Sequence, residues 1–352
     1  MSTGDLEMSE NVKAGDCTGI SAESEENSDY ESIEDVVNNN NGGYNKVIER
    51  IDRILDGKGE KIELGEYSEN GKRYTLYAYV VGAQNSRDNN GKTGGVISAG
   101  AHGDEPRAVE GLIDSLEKIV ANKEIMDSIS PLIVIPVLSP GAYDNGTREN
   151  GNGIDINRQF WLYSRNMPPE VKFVEDFILS HLSRLSFFFD CHYDNRFPNR
   201  VYTFVNNHPE SYKIASRGLE ILRGKGYNLV LNENIDGIKK IKEGIYKKDY
   251  DVYNGAFGPP PNSSTSKIFD IVLEIYDSAG FSSAILEMMH GVKEYQPKIN
   301  RIYPNLSDKI YNAISGIRDS IIPYLPKIVG SHQSVIESDN YLYEDIPLKY
   351  DA

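Results

Sequence analysis

The run Pro131-Leu-Ile-Val-Ile-Pro-Val-Leu138 contains no polar residue. A strand with one face in water alternates apolar and polar side chains, so an unbroken apolar run of this length suits a strand covered on both faces. Tyr74–Val81 and Gly95–Gly100, separated by the turn-like NSRDNNGKTG, read as neighbouring strands, and Leu185–Asp190, Arg200–Val205 and Ser283–Met288 as further ones. Between them the apolar spacing switches period. Ala108, Val109, Leu112, Ile113, Leu116, Ile119 and Val120 follow helical spacing behind Pro106, which suits a first helical turn. Helices are also expected over Pro169–Leu182, Pro209–Arg223 and Asn305–Leu325. Strands alternating with helices predict an α/β fold: a mixed, mostly parallel twisted sheet with helices on both faces.

Charge divides the chain. Residues 1–42 hold eleven Asp/Glu and a single Lys, a large part of the net charge of −16, with too few apolar residues to offset the entropy of ordering them. Residues 1–43 are therefore expected to be an acidic disordered tail, 44–330 one folded domain, and 331–352 a second acidic tail. The acidic balance argues against nucleic acid and against anionic membrane surfaces as partners. No run suits a signal peptide or a membrane span, and Cys17 and Cys191 are too few for a disulfide framework, so a cytoplasmic location is expected.

Polar residues gather where the predicted strands end, which is where open α/β sheets bind ligands. In SAGAHGDEPRAVEG, His102 and Glu105 stand three apart across a strand-to-helix turn, and His192 ends another strand 87 residues beyond Glu105. A catalytic zinc takes three such ligands and keeps a fourth position open for water. On its own, His-x-x-Glu suits a helix-capping loop better than a metal. Two further stretches change the balance: GTRENGNGIDINRQF (Gly146–Phe160) and FFFDCHYDN (Phe187–Asn195).

His102-Gly-Asp-Glu105, Arg148, Asp155-Ile-Asn157-Arg158 and Asp190-Cys-His192 resemble, in order, the motifs of the zinc carboxypeptidase superfamily, which includes the succinylglutamate desuccinylase and aspartoacylase branch. The resemblance runs from about Tyr74 to Met288. It implies a zinc carboxypeptidase (phosphorylase/hydrolase-like) fold, one zinc ion per chain held by His102, Glu105 and His192, and Asp155 hydrogen-bonded to the first zinc histidine. It also implies Arg148 at the oxyanion, and Asn157 and Arg158 on the substrate carboxylate. These roles suit the residue types, since a guanidinium is permanently charged and grips a carboxylate with two parallel hydrogen bonds.

The family also places a glutamate general base late in the chain on a buried strand. Glu287 interrupts the apolar run Ser282–Met289, and a buried unpaired carboxylate is costly, so Glu287 is the expected base. Tyr246, Tyr250, Tyr253 and Tyr276 precede it without a motif that selects one as a substrate cover. His181, His208, His290 and His332 read as surface or structural. Cys191 should point away from His192 by strand alternation, and Asp104 and Asp194 have no assigned role.

The expected function is hydrolysis of an amide bond next to a free carboxylate, on a small peptide or N-acyl amino acid. Only 65 residues follow Glu287, too few for the β-rich domain of aspartoacylase-type members, which leans toward a peptidase. An N-acyl-amino-acid deacylase of the desuccinylase type and a non-catalytic carboxylate-binding relative are the alternatives.

Overall fold

The computed structural model describes residues 43–82, 93–160, 167–181, 185–206, 208–231, 235, 238–247, 269, 271–278 and 284–299. Helix α1 (Gly43–Leu55) is followed by a hairpin of β1 (Gly59–Glu69) and β2 (Lys72–Val81). Asn70 and Gly71 both have positive φ, the two-residue turn that Asn-Gly favours. Next come β3 (Thr93–Ala99), α2 (Pro106–Ala121), α3 (Lys123–Ser128), β4 (Ile129–Ile135), α4 (Pro140–Asn145) and a 3-10 turn at Ile156–Arg158. The remaining elements are α5 (Pro169–His181), β5 (Leu185–His192), β6 (Arg200–Val205), α6 (Pro209–Gly224), β7 (Asn228–Leu229), β8 (Lys239–Lys242), β9 (Ile245–Lys247), β10 (Ile271–Asp277) and α7 (Ala284–Ile299).

Ten strands form one sheet in the order β1-β2-β4-β3-β5-β10-β6-β9-β8, with β7 on β6. The four central strands, β4, β3, β5 and β10, run parallel, and antiparallel pairs flank them on both sides. The mixed α/β sheet expected from the sequence is therefore present. One expected adjacency is not. β2 and β3 are separated by β4, because the β3-α2-β4 crossover sets β4 beside β3 and leaves its other edge to β2.

The sheet is covered on both faces. Phe187 and Phe189 face one core with Ile97, Leu273, Val109 and Leu116 of α2 and Met288 of α7. Phe188 faces the other, with Val96, Val272 and Val171, Val174 and Ile178 of α5. All three phenylalanines are fully buried. Each contributes roughly 1.5–3 kcal/mol by leaving water, which is why Phe-Phe-Phe can only belong to a central strand. Among the described residues, no helix is long and apolar enough to cross a membrane.

Ser283–Met288 is not a strand. Ala284–Met288 is the start of α7, while Ser283 lies outside the described residues; the buried Ala284, Ile285, Met288, Met289 and Val292 have helical spacing, and α7 packs against α6 and α2. A short apolar run carries no period that separates strand from helix, and the neighbours decide. The expected helix Asn305–Leu325 and the tails 1–42 and 331–352 lie outside the described residues, while Gly43 already belongs to α1.

The turn from β3 to α2 is shaped by two glycines. Gly100 has φ +65°, and a Cβ on Gly103 would stand 2.0 Å from the backbone carbonyl of Ala142 in α4. Gly103 N–H also donates to Thr147 O at 2.9 Å, so the loops after β3 and after α4 are tied at this point. Gly103→Ala is expected to cost roughly 1–3 kcal/mol of stability, because the contact is with backbone that cannot rotate away. Urea denaturation measures this, and an unchanged midpoint would contradict the close approach.

Candidate metal centre

His102, Glu105 and His192 come together at the carboxyl ends of two adjacent parallel strands, β3 and β5. Their ligand atoms lie within 4.8 Å of one another, and all three residues are buried. Alternation along β5 turns His192 and Asp190 to one face and Cys191 to the other, where Cys191 joins the α2 core. Pro106 opens α2 directly behind Glu105 and fixes where the carboxylate begins.

Glu105 sits between the rings. Its Oε1 is 2.8 Å from His102 Nδ1 and its Oε2 is 2.9 Å from His192 Nδ1. The backbone N–H of Tyr193 also donates to Oε2 at 3.0 Å. The opposite edge of each ring has its own carboxylate: Asp155 Oδ1 lies 3.2 Å from His102 Nε2, and Asp190 Oδ2 lies 3.0 Å from His192 Nε2. Each ring therefore lies between two carboxylates, with Nε2 toward the outer one and Nδ1 facing inward onto Glu105. Two inward imidazole nitrogens and one carboxylate form a donor set that fits a borderline divalent cation, with the outer carboxylates setting the tautomers.

Burial opposes the charged form of His192, yet the charges of Asp190 and Glu105 push its pKa up to about 10. His102 is raised too, its burial outweighed by Asp155 and Glu105. Burial would raise Glu105 and Asp155, but the neighbouring imidazoles hold both carboxyls well below the usual range. A divalent cation in this set must displace protons from Nδ1.

Arg148, Asp155, Asn157 and Arg158 come from the loop between α4 and α5. The 3-10 turn places Asp155 at its cap, where its carboxylate also accepts from Asn157 N–H at 3.0 Å. Arg148 donates from Nη2 to Asp155 Oδ2 at 3.0 Å, and its Nη1 lies 3.7 Å from Glu105 Oε1. Arg148, Asn157 and Arg158 line a cleft of about 360 Å³ together with His102 and Glu105. Asn157 is otherwise buried, with Nδ2 3.4 Å from His192 Nε2. Asp104 and Asp194 also border this cleft. Burial, followed by the charge of Glu105, raises the pKa of Asp104.

Glu287 is not among these residues. It lies on α7, its Oε1 2.6 Å from Lys225 Nζ, and lines a different cleft with Arg217, Lys225, His290 and Lys293. The helical period turns it toward α6 instead of toward the ends of β3 and β5, so the general-base role does not fit it. His290 accompanies it there, 4.0 Å from its carboxylate. Of the four tyrosines, Tyr246 is buried among Tyr202 and Phe204, and Tyr276 stacks on the His192 ring with centroids 4.9 Å apart. Tyr250 and Tyr253 lie outside the described residues.

Three residues escaped the reading of the sequence. Asp190 was part of a recognised motif without a role, although its position two before His192 on one strand already put both on one face. It also accepts from Ser98 Oγ at 2.7 Å, so a fully buried row braces the second histidine. Glu274 is fully buried in the apolar run of β10, in register with Asp190, just as Tyr276 is in register with His192. A carboxylate interrupting Ile271-Val-Leu-Glu-Ile275 is the same signal that drew attention to Glu287. Arg196, in the loop after β5, lines the cleft with no motif to announce it.

No protein-family model matches the chain, and no curated protein matches it. Solved structures do. A "putative metallopeptidase" from Shewanella baltica OS155 aligns with a TM-score of 0.52 and 18% identity, over 72% of this chain and 91% of that one. Another from Shewanella amazonensis SB2B gives 0.51 and 17%, over 74% and 93%. A metallo-carboxypeptidase from Burkholderia cenocepacia aligns at 0.47 and 15%, over 74% and 69%. The chain shares the fold of the two metallopeptidases, in agreement with the fold implied by its motifs.

Replacing Asp190 by Asn removes the carboxylate charge and, with Ser98 Oγ still donating to the remaining oxygen, turns an amide NH2 toward His192 Nε2, which favours the wrong tautomer. Metal affinity is expected to fall by roughly 10–100-fold with the fold retained, as is typical when such an outer partner is lost. A competition titration with a chelating dye measures it. Unchanged affinity would remove Asp190 from the site.

Proposed function

We propose that this protein is a zinc-dependent hydrolase that cleaves an amide bond next to a free carboxylate, as a metallocarboxypeptidase does. The observation that carries the proposal is the convergence of His102 Nδ1 and His192 Nδ1 on the Glu105 carboxylate, beside a cleft that His102 and Glu105 line together with Arg148, Asn157 and Arg158. His102, Glu105 and His192 would hold the zinc ion, which would supply a water of lowered pKa and a Lewis acid for the scissile carbonyl.

The side chains account for the rest of the reaction. Arg158, with Asn157, receives the substrate carboxylate and so places the neighbouring amide over the ligand set. Arg148 stands against Glu105 and Asp155 with permanent charge, suited to the oxygen that becomes negative as water adds to the carbonyl carbon. Asp155 and Asp190 hold the imidazoles still, so neither ring turns as charge develops.

For the general base we assign Glu274 in place of Glu287. It is a buried carboxylate on the strand beside β5, on the face that carries His192 and two residues before Tyr276, whose ring covers that histidine. Its nearness to Tyr276 is also felt electrostatically: burial first, then the charge of Glu274, pushes the Tyr276 hydroxyl pKa well up. Glu274 takes a proton from the attacking water and returns it to the leaving nitrogen as the C–N bond breaks.

Glu274→Gln is expected to keep zinc at one per chain while losing at least roughly a hundredfold in kcat on an acylated dipeptide with a free C-terminus. Metal analysis and a ninhydrin assay of the released amino acid read the two quantities. Wild-type kcat in the variant would exclude Glu274 as base, and a zinc-loaded wild type that releases nothing from peptides or N-acyl amino acids would exclude the hydrolase reading.

A further inference from the structure

The cleft carries a third guanidinium that the reaction above does not use. Arg196 lines it from the loop after β5, opposite in sequence to the loop that brings Arg148 and Arg158. Its side chain is 50% exposed, yet it is firmly held. Nε donates to Asp194 Oδ1 at 2.9 Å and Nη2 donates to Asp194 Oδ2 at 2.8 Å, while the guanidinium carbon lies 5.6 Å from the Phe197 ring centre.

Asp194 is itself anchored. It is buried, its Oδ2 accepts from Tyr202 OH at 2.8 Å, and Ser278 Oγ donates to its backbone carbonyl at 2.7 Å while accepting from its N–H at 3.1 Å. Tyr202 stacks face to face on Tyr276, the ring that covers His192. Fixing an arginine in one direction costs side-chain entropy, which the pairing with the buried Asp194 carboxylate offsets here. Asp194 holds the Nε–Nη2 edge, and its buried support from Tyr202 and Ser278 fixes the direction of a guanidinium that lines the cleft, a planar cation suited to carboxylates.

We infer that Arg196 is a specificity-determining residue and that the substrate carries two carboxylates, one received by Arg158 beside the scissile amide and a second received by Arg196. This rests on the hydrolase reading above. The second carboxylate belongs either to the side chain of the released residue or to the acyl half.

Two comparisons with zinc-loaded protein separate these sources: an acylated dipeptide ending in Glu against the same dipeptide ending in Gln, and N-succinyl-leucine against its succinamyl counterpart. In one pair the acid should be preferred by roughly tenfold or more in kcat/KM, since a site built to bond a polar group rejects an analogue that lacks its charge. Arg196→Gln should bring that ratio close to one, and Arg196→Lys, which keeps charge but not the fork, should give an intermediate value. Ratios near one in the wild type for both pairs, or a preference that survives Arg196→Gln, would overturn the inference. If no substrate is cleaved, the hydrolase reading fails and calorimetric titration with glutarate against its monoamide decides the inference alone. Tighter binding of glutarate that disappears in Arg196→Gln supports it, and equal binding overturns it.

Discussion

Everything at this centre depends on hydrogen bonds to the far edges of two imidazoles. Asp155 and Asp190 stand at Nε2 of His102 and His192 while Glu105 stands at both Nδ1 atoms, so each ring is held from two sides with Nδ1 turned inward. Without the outer carboxylates each ring has two tautomers and a free flip, and three donors would rarely converge. With them, the inner face is a fixed set of lone pairs that binds protons or a cation, according to which is present.

The sheet makes this geometry possible. β3 and β5 are neighbouring parallel strands, so their carboxyl ends open at one level and deliver His102 and His192 from chain positions far apart. Ser98, Asp190 and Glu274 lie in register across β3, β5 and β10 and form a buried polar row beneath the histidines. Gly103 allows the His102 loop to touch α4, which leads into the loop of Arg148 and Arg158. Packing, register and chemistry are thus linked through a few backbone contacts.

Much of this was legible in the sequence because it is local. The Phe187-Phe-Phe run and the helical spacing behind Pro106 each depend on residues near one another, while the order of His102, Glu105, Asp155 and His192 was legible through its resemblance to a family's motifs. What was missed depends on partners that a single sequence does not display. Glu274 and Glu287 both interrupt apolar runs, and only strand register shows that the first stands beside Asp190 while the second pairs with Lys225. The β2–β3 adjacency failed for the same reason, since β4 enters between them from further along the chain. Arg196 carries no motif at all. Its meaning comes from Tyr202 of β6 and Ser278 just after β10, which reach Asp194 from other parts of the chain.

The measurement that bears most directly on the centre is a calorimetric titration of metal-free protein with zinc, repeated at several pH values and in buffers of different ionisation enthalpy. One ion per chain is predicted to bind with release of protons, more tightly as pH rises, because His192, with its pKa pushed up to about 10, must give up the Nδ1 proton that Glu105 holds. His192→Ala should abolish that proton-linked binding. Absence of binding, or binding of the same affinity and proton release in His192→Ala, would contradict a metal centre built from His102, Glu105 and His192.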